Sequence, residues 1–398
     1  MPHFAKLAVI DWLTHQARML PGGIPALIDA YCRRLVAQGV PLWRSAWNIR
    51  MLHPELRAIT YIWWHGQDGV EEIERTHGNE FTHEYLNSPV AAIVDDGADG
   101  LRHPIRRMVP PWPYPILGEL HRLGGTDYAA WPVLFSSGRR HAATFASNHP
   151  DGFTTADLDL IDGTLPVLST LLEVLALRRL ATNLLNIYVG RQAGERILSG
   201  DIRRGTGGSL RAVLWYCDLR GFTNLADRLE REDLIALLNG YFEIMDRAVQ
   251  ARGGEILKFI GDAVLAMFPL AGDSAAPEAD ALTCALALDA ADEAVVGMAR
   301  LNIERAIWGQ PTLHFGIALH LGDVMFGNVG AATRLDYTVI GPAVNLVSRI
   351  ETLCKRLERT VLTSAAFARA CRTRLLSLGL QPVRGKREPV EVFGLADD

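Results

Sequence analysis

The chain has 398 residues, 49% of them hydrophobic and 21% charged, with a formal net charge of −5. That length allows about two ordinary domains, each with its own core. Forty Lys and Arg against 45 Asp and Glu exclude a strongly basic nucleic-acid binder, though a small anionic substrate needs only local positive charge. With 36 Gly and 20 Pro, collagen-like and wholly disordered chains are excluded as well.

The longest apolar run, residues 167–177, contains Glu173, so no membrane span is expected. Met1 to Lys6 leads directly to Asp11 and His15, which is not the pattern of a secretory leader. Cys32, Cys217, Cys284, Cys354 and Cys371 are odd in number, widely spaced and lack CxxC pairs. Free thiols and a cytoplasmic location follow more readily than a disulfide framework or a zinc site.

Composition divides the chain, because seven of nine Trp and ten of twelve His precede residue 150. Residues 25–38 read as an amphipathic helix with Leu27, Tyr31 and Leu35 on one stripe. Leu42–Leu52, Arg57–His65 and Val70–Arg75 read as strands, and Pro104–Pro115 as a loop or strand edge. Trp131–Phe135 and His141–Ser147 suggest a hairpin, after which Thr154 to Asp157 caps a helix.

That helix is expected to continue past Pro166 to Val189. Leu168, Leu172 and Leu175 form one seam, and Leu177, Leu180, Leu184 and Ile187 a second. Such spacing suits pairing with a second copy or packing on the helix's own domain. Gly205 to Gly208 then punctuates the chain. The expected organisation is 1–180 for a first domain, 181–209 for a helical connector and 210–398 for a second domain.

From Leu210 the pattern is β-α-β-β-α-β. Strands are expected at Ala212–Cys217, Ile256–Ile260, Ala263–Phe268, Leu313–Leu319 and Val324–Val329. Helices are expected from the Gly221-Phe222-Thr223 turn to about Arg252, over Pro277–Ile307 and from Pro342 to about Leu357. This order predicts an α+β fold, a ferredoxin-like sheet with helices on one face.

Two acids stand out. Asp218 ends an apolar strand and Asp262 lies in the tight turn of an apolar hairpin. If their strands are neighbours, the carboxylates meet, and a hard divalent cation with phosphate oxygens would relieve their repulsion. Arg220 to Thr223 would turn backbone N–H groups toward the same place. Turn aspartates that satisfy local backbone groups are the alternative reading of these residues alone.

The strings from Cys217 to Thr223, from Lys258 to Asp262, from Gly327 to Gly330 and from Tyr337 to Arg349 resemble the class III nucleotidyl cyclase catalytic domain, over about residues 210–395. The resemblance implies attack of a nucleotide's ribose 3′-hydroxyl on its own α-phosphate with loss of pyrophosphate. Asp218, Asp262 and the Leu219 carbonyl would hold two Mg²⁺ or Mn²⁺, and Phe222 and Thr223 would adjoin the phosphates. Arg349 would stabilise the α-phosphate and Asn345 orient the ribose; their spacing of four places both on one helix face. Lys258 and Thr338 would read adenine, where guanylate cyclases carry Glu and a Cys-like residue, so ATP is the expected substrate and 3′,5′-cyclic AMP the product. Arg384 stands where the family has a phosphate-binding Lys, and Lys386 is the alternative.

The resemblance further implies a homodimer with sites at its interface, one chain supplying the aspartates and the other Asn345 and Arg349. Residues 25–180 weakly resemble a GAF-like sensory domain, which implies an unidentified small-molecule or protein regulator. Trp43, Trp47, Trp63, Trp64, Trp112 and Trp131 suit core packing better than a pocket. A guanylate cyclase and a catalytically inactive nucleotide-binding dimerisation module are the competing expectations. The second predicts loss of at least one of Asp218, Asp262, Asn345 or Arg349, and all four are present.

Overall fold

A computed structural model describes residues 2–200, 203, 205, 207–270, 277–331 and 333–396. Thr206, within the expected Gly205–Gly208 punctuation, lies outside the described residues. The chain forms two compact units, Met1–Leu184 and Leu185–Asp398.

The first unit opens with helices α1 (Pro2–His15) and α2 (Gly23–Ala37). Strands β1 (Arg44–Arg50), β2 (Leu56–Trp64) and β3 (Glu71–Thr76) follow at nearly the expected positions. Short helices α3 (His83–Leu86) and α4 (Pro89–Val94), strand β4 (Leu101–His103) and helix α5 (Pro115–Arg122) precede the hairpin β5 (Asp127–Leu134) and β6 (Arg140–Ser147). The sheet is antiparallel in the order β3-β2-β1-β6-β5-β4.

One face of this sheet buries Trp47, Tyr61, Trp63 and Phe145 against α1, α2 and α6 (Thr155–Val189). The other face packs on Ile93, Leu117 and Leu120 of α4 and α5. Trp47 and Trp63 are therefore core residues, as expected, and Trp47 stacks edge-on against Tyr31 and Phe145. The start of α6 is a reciprocal cap: the Thr154 N–H donates to Asp157 Oδ2 at 2.8 Å, and the Asp157 N–H to Thr154 Oγ1 at 3.2 Å.

The helix runs through Pro166 without ending. Leu168 and Leu172 of the first seam pack into the core of this unit, whereas Leu177 and Ile187 of the second are exposed. The first seam is thus used within its own domain. By length and composition alone α6 is also long and apolar enough to cross a membrane, although its first part packs in the core of this unit.

The second unit begins with α7 (Arg191–Leu198), followed by β7 (Gly207–Leu219), α8 (Phe222–Ala226), α9 (Arg231–Ala251), β8 (Glu255–Ile260), β9 (Ala263–Pro269) and α10 (Pro277–Ile307). Strands β10 (Phe315–Ala331) and β11 (Arg334–Ile340) lead to α11 (Pro342–Arg356), β12 (Val361–Ser364), α12 (Ala365–Ala370), β13 (Leu376–Gln381) and β14 (Val390–Gly394). The sheet order is β13-β14-β12-β10-β7-β9-β8, with β11 on the far part of β10. Its β10-β7-β9-β8 portion is antiparallel and has the expected ferredoxin-like order.

Two expectations are corrected. Helices cover both faces of this sheet: α9 and α10 pack on Val213, Trp215 and Cys217, while α11 packs on Ala212 and Leu214. A strand apolar on both faces has to be covered on both. The two strands expected around Gly322 and Asp323 are one, because that pair continues the ladder opposite Ala212 and Arg211. Long-range pairing overrides the local turn signal there.

Candidate active site

Residue parity along β7 turns Asp218 toward the α11 face, while Leu219 is buried among the α9 and α10 contacts. Only the backbone of Leu219 is therefore offered to the site. Asp262 follows Gly261, whose φ of 65° opens the two-residue turn between Ile260 and Ala263. β9 is the neighbour of β7, so the hairpin turn comes to lie beside the end of β7.

The carboxyl groups of Asp218 and Asp262 are close enough to hydrogen-bond. Burial, reinforced by that neighbour, pushes the Asp218 carboxyl up to about 7. Two carboxyl groups this close at the end of β7 are a donor set that fits a hard divalent cation with further ligands from a phosphate.

A third carboxyl, not anticipated from the sequence, stands behind this pair. Glu351 of α11 is buried, and burial together with Asp218 pushes it up to about 8. A Cβ built on Gly316 would come within 2.5 Å of Glu351 Oε1, and Gly316 is the register partner of Asp218. The signal was legible: Glu351 falls on the stripe of Ala343, Val347 and Cys354, where an acid is out of place.

The turn after Leu219 is built as expected from Gly221, whose φ is 74°. Helix α8 has a single turn; Phe222 packs its side chain on the sheet core and Thr223 is exposed. Arg220 reaches away, its Nη2 donating to the Arg359 carbonyl at 2.6 Å.

Lys258 does not lie unpaired. Its Nζ donates to Asp336 Oδ2 at 2.7 Å, a partner the sequence reading missed. Thr338, two residues along β11, is buried, and among the described residues its hydroxyl has no hydrogen-bond partner. It lines a cavity of about 30 Å³ with Leu257, Phe326 and Tyr337, closed by Gln192, Ala193 and Arg196 of α7. That volume holds a water molecule or two, not a purine. The Gln192 N–H donates to Glu255 Oε1 at 3.0 Å, and the Arg196 guanidinium lies 4.3 Å from the Phe326 ring centre.

Asn345 is exposed on the first turns of α11, with Arg349 one turn further on. The Arg349 guanidinium packs against Gly385: a Cβ there would lie 3.2 Å from its Nη2. This brings Arg349 to the turn bearing Arg384 and Lys386, both exposed. Among the described residues Arg349 has no carboxylate partner, and neither aspartate hydrogen-bonds to Asn345 or Arg349. Within one chain Asp218 thus lies with Asp262, and Arg349 with the basic turn.

Residues 211–395 match the family described as the adenylate and guanylate cyclase catalytic domain. An adenylate cyclase from Anabaena cylindrica is 33% identical over 203 residues, which is 48% of this chain and 38% of that protein. Adenylate cyclase 1 from Rhizobium meliloti is 31% identical over 182 residues, 45% of this chain and 26% of that protein. The chain therefore spans well under half the length of these relatives. The solved structure of a bacterial light-regulated adenylyl cyclase is 26% identical, covers 56% of this chain and 63% of its own, and has a TM-score of 0.47. The family match over residues 211–395, with these relatives, supports a class III adenylate/guanylate cyclase catalytic domain in that part of the chain.

Proposed function

We propose that this chain is an adenylate cyclase, converting ATP to 3′,5′-cyclic AMP and pyrophosphate in a homodimer. The observation that carries the reading is the juxtaposition of Asp218, at the end of β7, with Asp262, in the turn that leads into the neighbouring strand β9. With the Leu219 carbonyl, they would hold two Mg²⁺ or Mn²⁺. When bound, such ions lower the pKa of the ribose 3′-hydroxyl and offset phosphate charge.

The rest is the work of side chains. The ribose 3′-hydroxyl gives up its proton to water, and its oxygen forms a bond to the α-phosphorus as the bond to the bridging oxygen of pyrophosphate breaks. Arg349, without a carboxylate partner among the described residues, presents its fork to the α-phosphate as negative charge builds there. Asn345, one turn earlier, holds the ribose so that the attack is in line. Arg384 or Lys386 faces the β,γ-phosphates, and the backbone at Phe222 and Thr223 completes the cradle. That neither aspartate hydrogen-bonds to Asn345 or Arg349 among the described residues, while Arg349 meets the basic turn, supports a site made by two chains.

Adenine is favoured because Lys258 offers N–H donors to a ring nitrogen and the unpartnered Thr338 hydroxyl can accept from an exocyclic amine. Neither residue is the Glu that would pair with guanine's donors. For the N-terminal unit we propose a GAF-like regulatory role; a six-stranded antiparallel sheet with helices on both faces supports it. Five buried free cysteines support a cytoplasmic location. The reading is tested by incubating the purified chain with ATP or GTP plus Mg²⁺ or Mn²⁺ and identifying the products. Cyclic AMP from ATP supports it, and cyclic GMP as the main product overturns the base assignment.

A further inference from the structure

A cavity of about 600 Å³ in the first unit takes no part in the cyclase chemistry. Its size falls within the range of sites that enclose small molecules. The ends of β1 and β2, the segment from His77 to Leu86, Asp95 after α4 and the β5–β6 turn form its walls.

Three of its lining residues are large apolar groups open to water: Phe81 at 78%, Leu86 at 61% and Leu52 at 52% exposure. Exposed apolar side chains gathered round one hollow mark a binding surface, whereas the same residues scattered singly would not. The polar lining is cationic. Arg57, the deepest, is held by Glu80 at 3.1 Å, by Asp95 at 3.7 Å and by its Nη2 donating to Tyr85 Oη at 3.2 Å.

Arg50 reaches Asp95 only at 3.8 Å, and among the described residues Arg139 has no carboxylate partner. Three guanidinium groups thus face two carboxylates, leaving one positive charge over. Both Arg50 and Arg139 bear on His141, which burial first and then these two cations hold down at about 4. His141 is neutral at physiological pH and adds nothing to the excess charge.

We propose that this cavity binds a small amphipathic anion. Its carboxylate or phosphate would lie against Arg139 and Arg50, and its apolar body against Phe81, Leu86 and Leu52. A guanidinium fork matches such an oxyanion in two parallel hydrogen bonds. The proposal is independent of the nucleotide chosen by the cyclase domain.

Equilibrium dialysis of the full chain tests it, using decanoate, decyl phosphate, decanol and decyltrimethylammonium below their micellar concentrations. At least one of the two anions is expected to bind saturably at one per chain, the tighter one naming the head group. Decanol should bind at least tenfold more weakly and the cation not measurably. Arg139→Gln, at an exposed turn with no carboxylate partner among the described residues, should fold normally and weaken anion binding at least fivefold; Phe81→Ser should weaken it comparably. Absence of saturable binding by both anions, decanol binding as tightly as the anions, or unchanged affinity in Arg139→Gln would each overturn the proposal.

Discussion

Lys258 Nζ and Asp336 Oδ2 lie 2.7 Å apart, joining the strand of the proposed base-reading cation to the strand that carries Thr338. The Asp336 carboxylate is well exposed, so the pair adds little to stability and acts mainly by fixing where the ammonium points. Two of the three ammonium N–H groups remain for a base.

Replacing Lys258 with Ala is therefore expected to lower kcat/KM for ATP about tenfold to a hundredfold, the range for losing a hydrogen bond to a charged group. The melting temperature should hardly move. Asp336→Asn should raise KM for ATP more than it lowers kcat. Steady-state kinetics on ATP and GTP check both, and an ATP preference untouched by Lys258→Ala would contradict the assignment.

The carboxyl cluster makes a pH prediction. Asp218 at about 7 and Glu351 at about 8 both lie above their unfolded values, chiefly through burial. An acid raised on folding contributes most stability at low pH, and that contribution is lost as pH climbs from the unfolded carboxylate range through the folded pKa. The metal-free chain should thus lose stability between about pH 5 and 8, and Glu351→Gln should flatten part of that slope. Binding of Mn²⁺ requires ionised Asp218, so it should release about one proton near pH 6. Calorimetry in two buffers of different ionisation heat counts that proton, and a count of zero would rule out Asp218 as the ligand.

The elements that position this site were largely legible in the sequence, and the reason lies in local signals. Gly261 before Asp262 announces a tight turn, and the apolar run ending at Asp218 announces a buried strand. Less legible was whatever depends on distant strands meeting. Asp336 is ordinary until β11, paired with β10, brings it to Lys258 of β8, and the Gly322-Asp323 turn signal fails because β7 pairs straight through it. Strands β11 to β14 lack clean alternation and were not expected. The placement of α11 across the sheet from α9 and α10 follows only once β7 is seen to be apolar on both faces.

Helix α7 closes the small cavity beside Thr338, and its first turn is anchored on Glu255. Gly190 precedes it with a φ of 88°, and a Cβ there would come within 2.7 Å of Glu255 Oε1. A purine reaches the Thr338 hydroxyl only if α7 shifts. Glu255→Ala is accordingly expected to loosen α7 and lower KM for ATP severalfold, with little change in kcat. Faster amide exchange over residues 191–198 should accompany it; a KM and an exchange pattern identical to wild type would show that α7 does not gate the site.

The central claim is an ATP site completed by two chains, and complementation tests it most directly. Asp262→Ala and Arg349→Ala are each expected to form almost no cyclic AMP alone. Co-expressed, they form some heterodimers in which one site has both aspartates from one chain and Asn345 and Arg349 from the other. Measured cyclic AMP formation from ATP should then return to a substantial fraction of the wild-type rate. A mixture that stays inactive beside an active wild-type chain, with heterodimers present, would contradict the shared site.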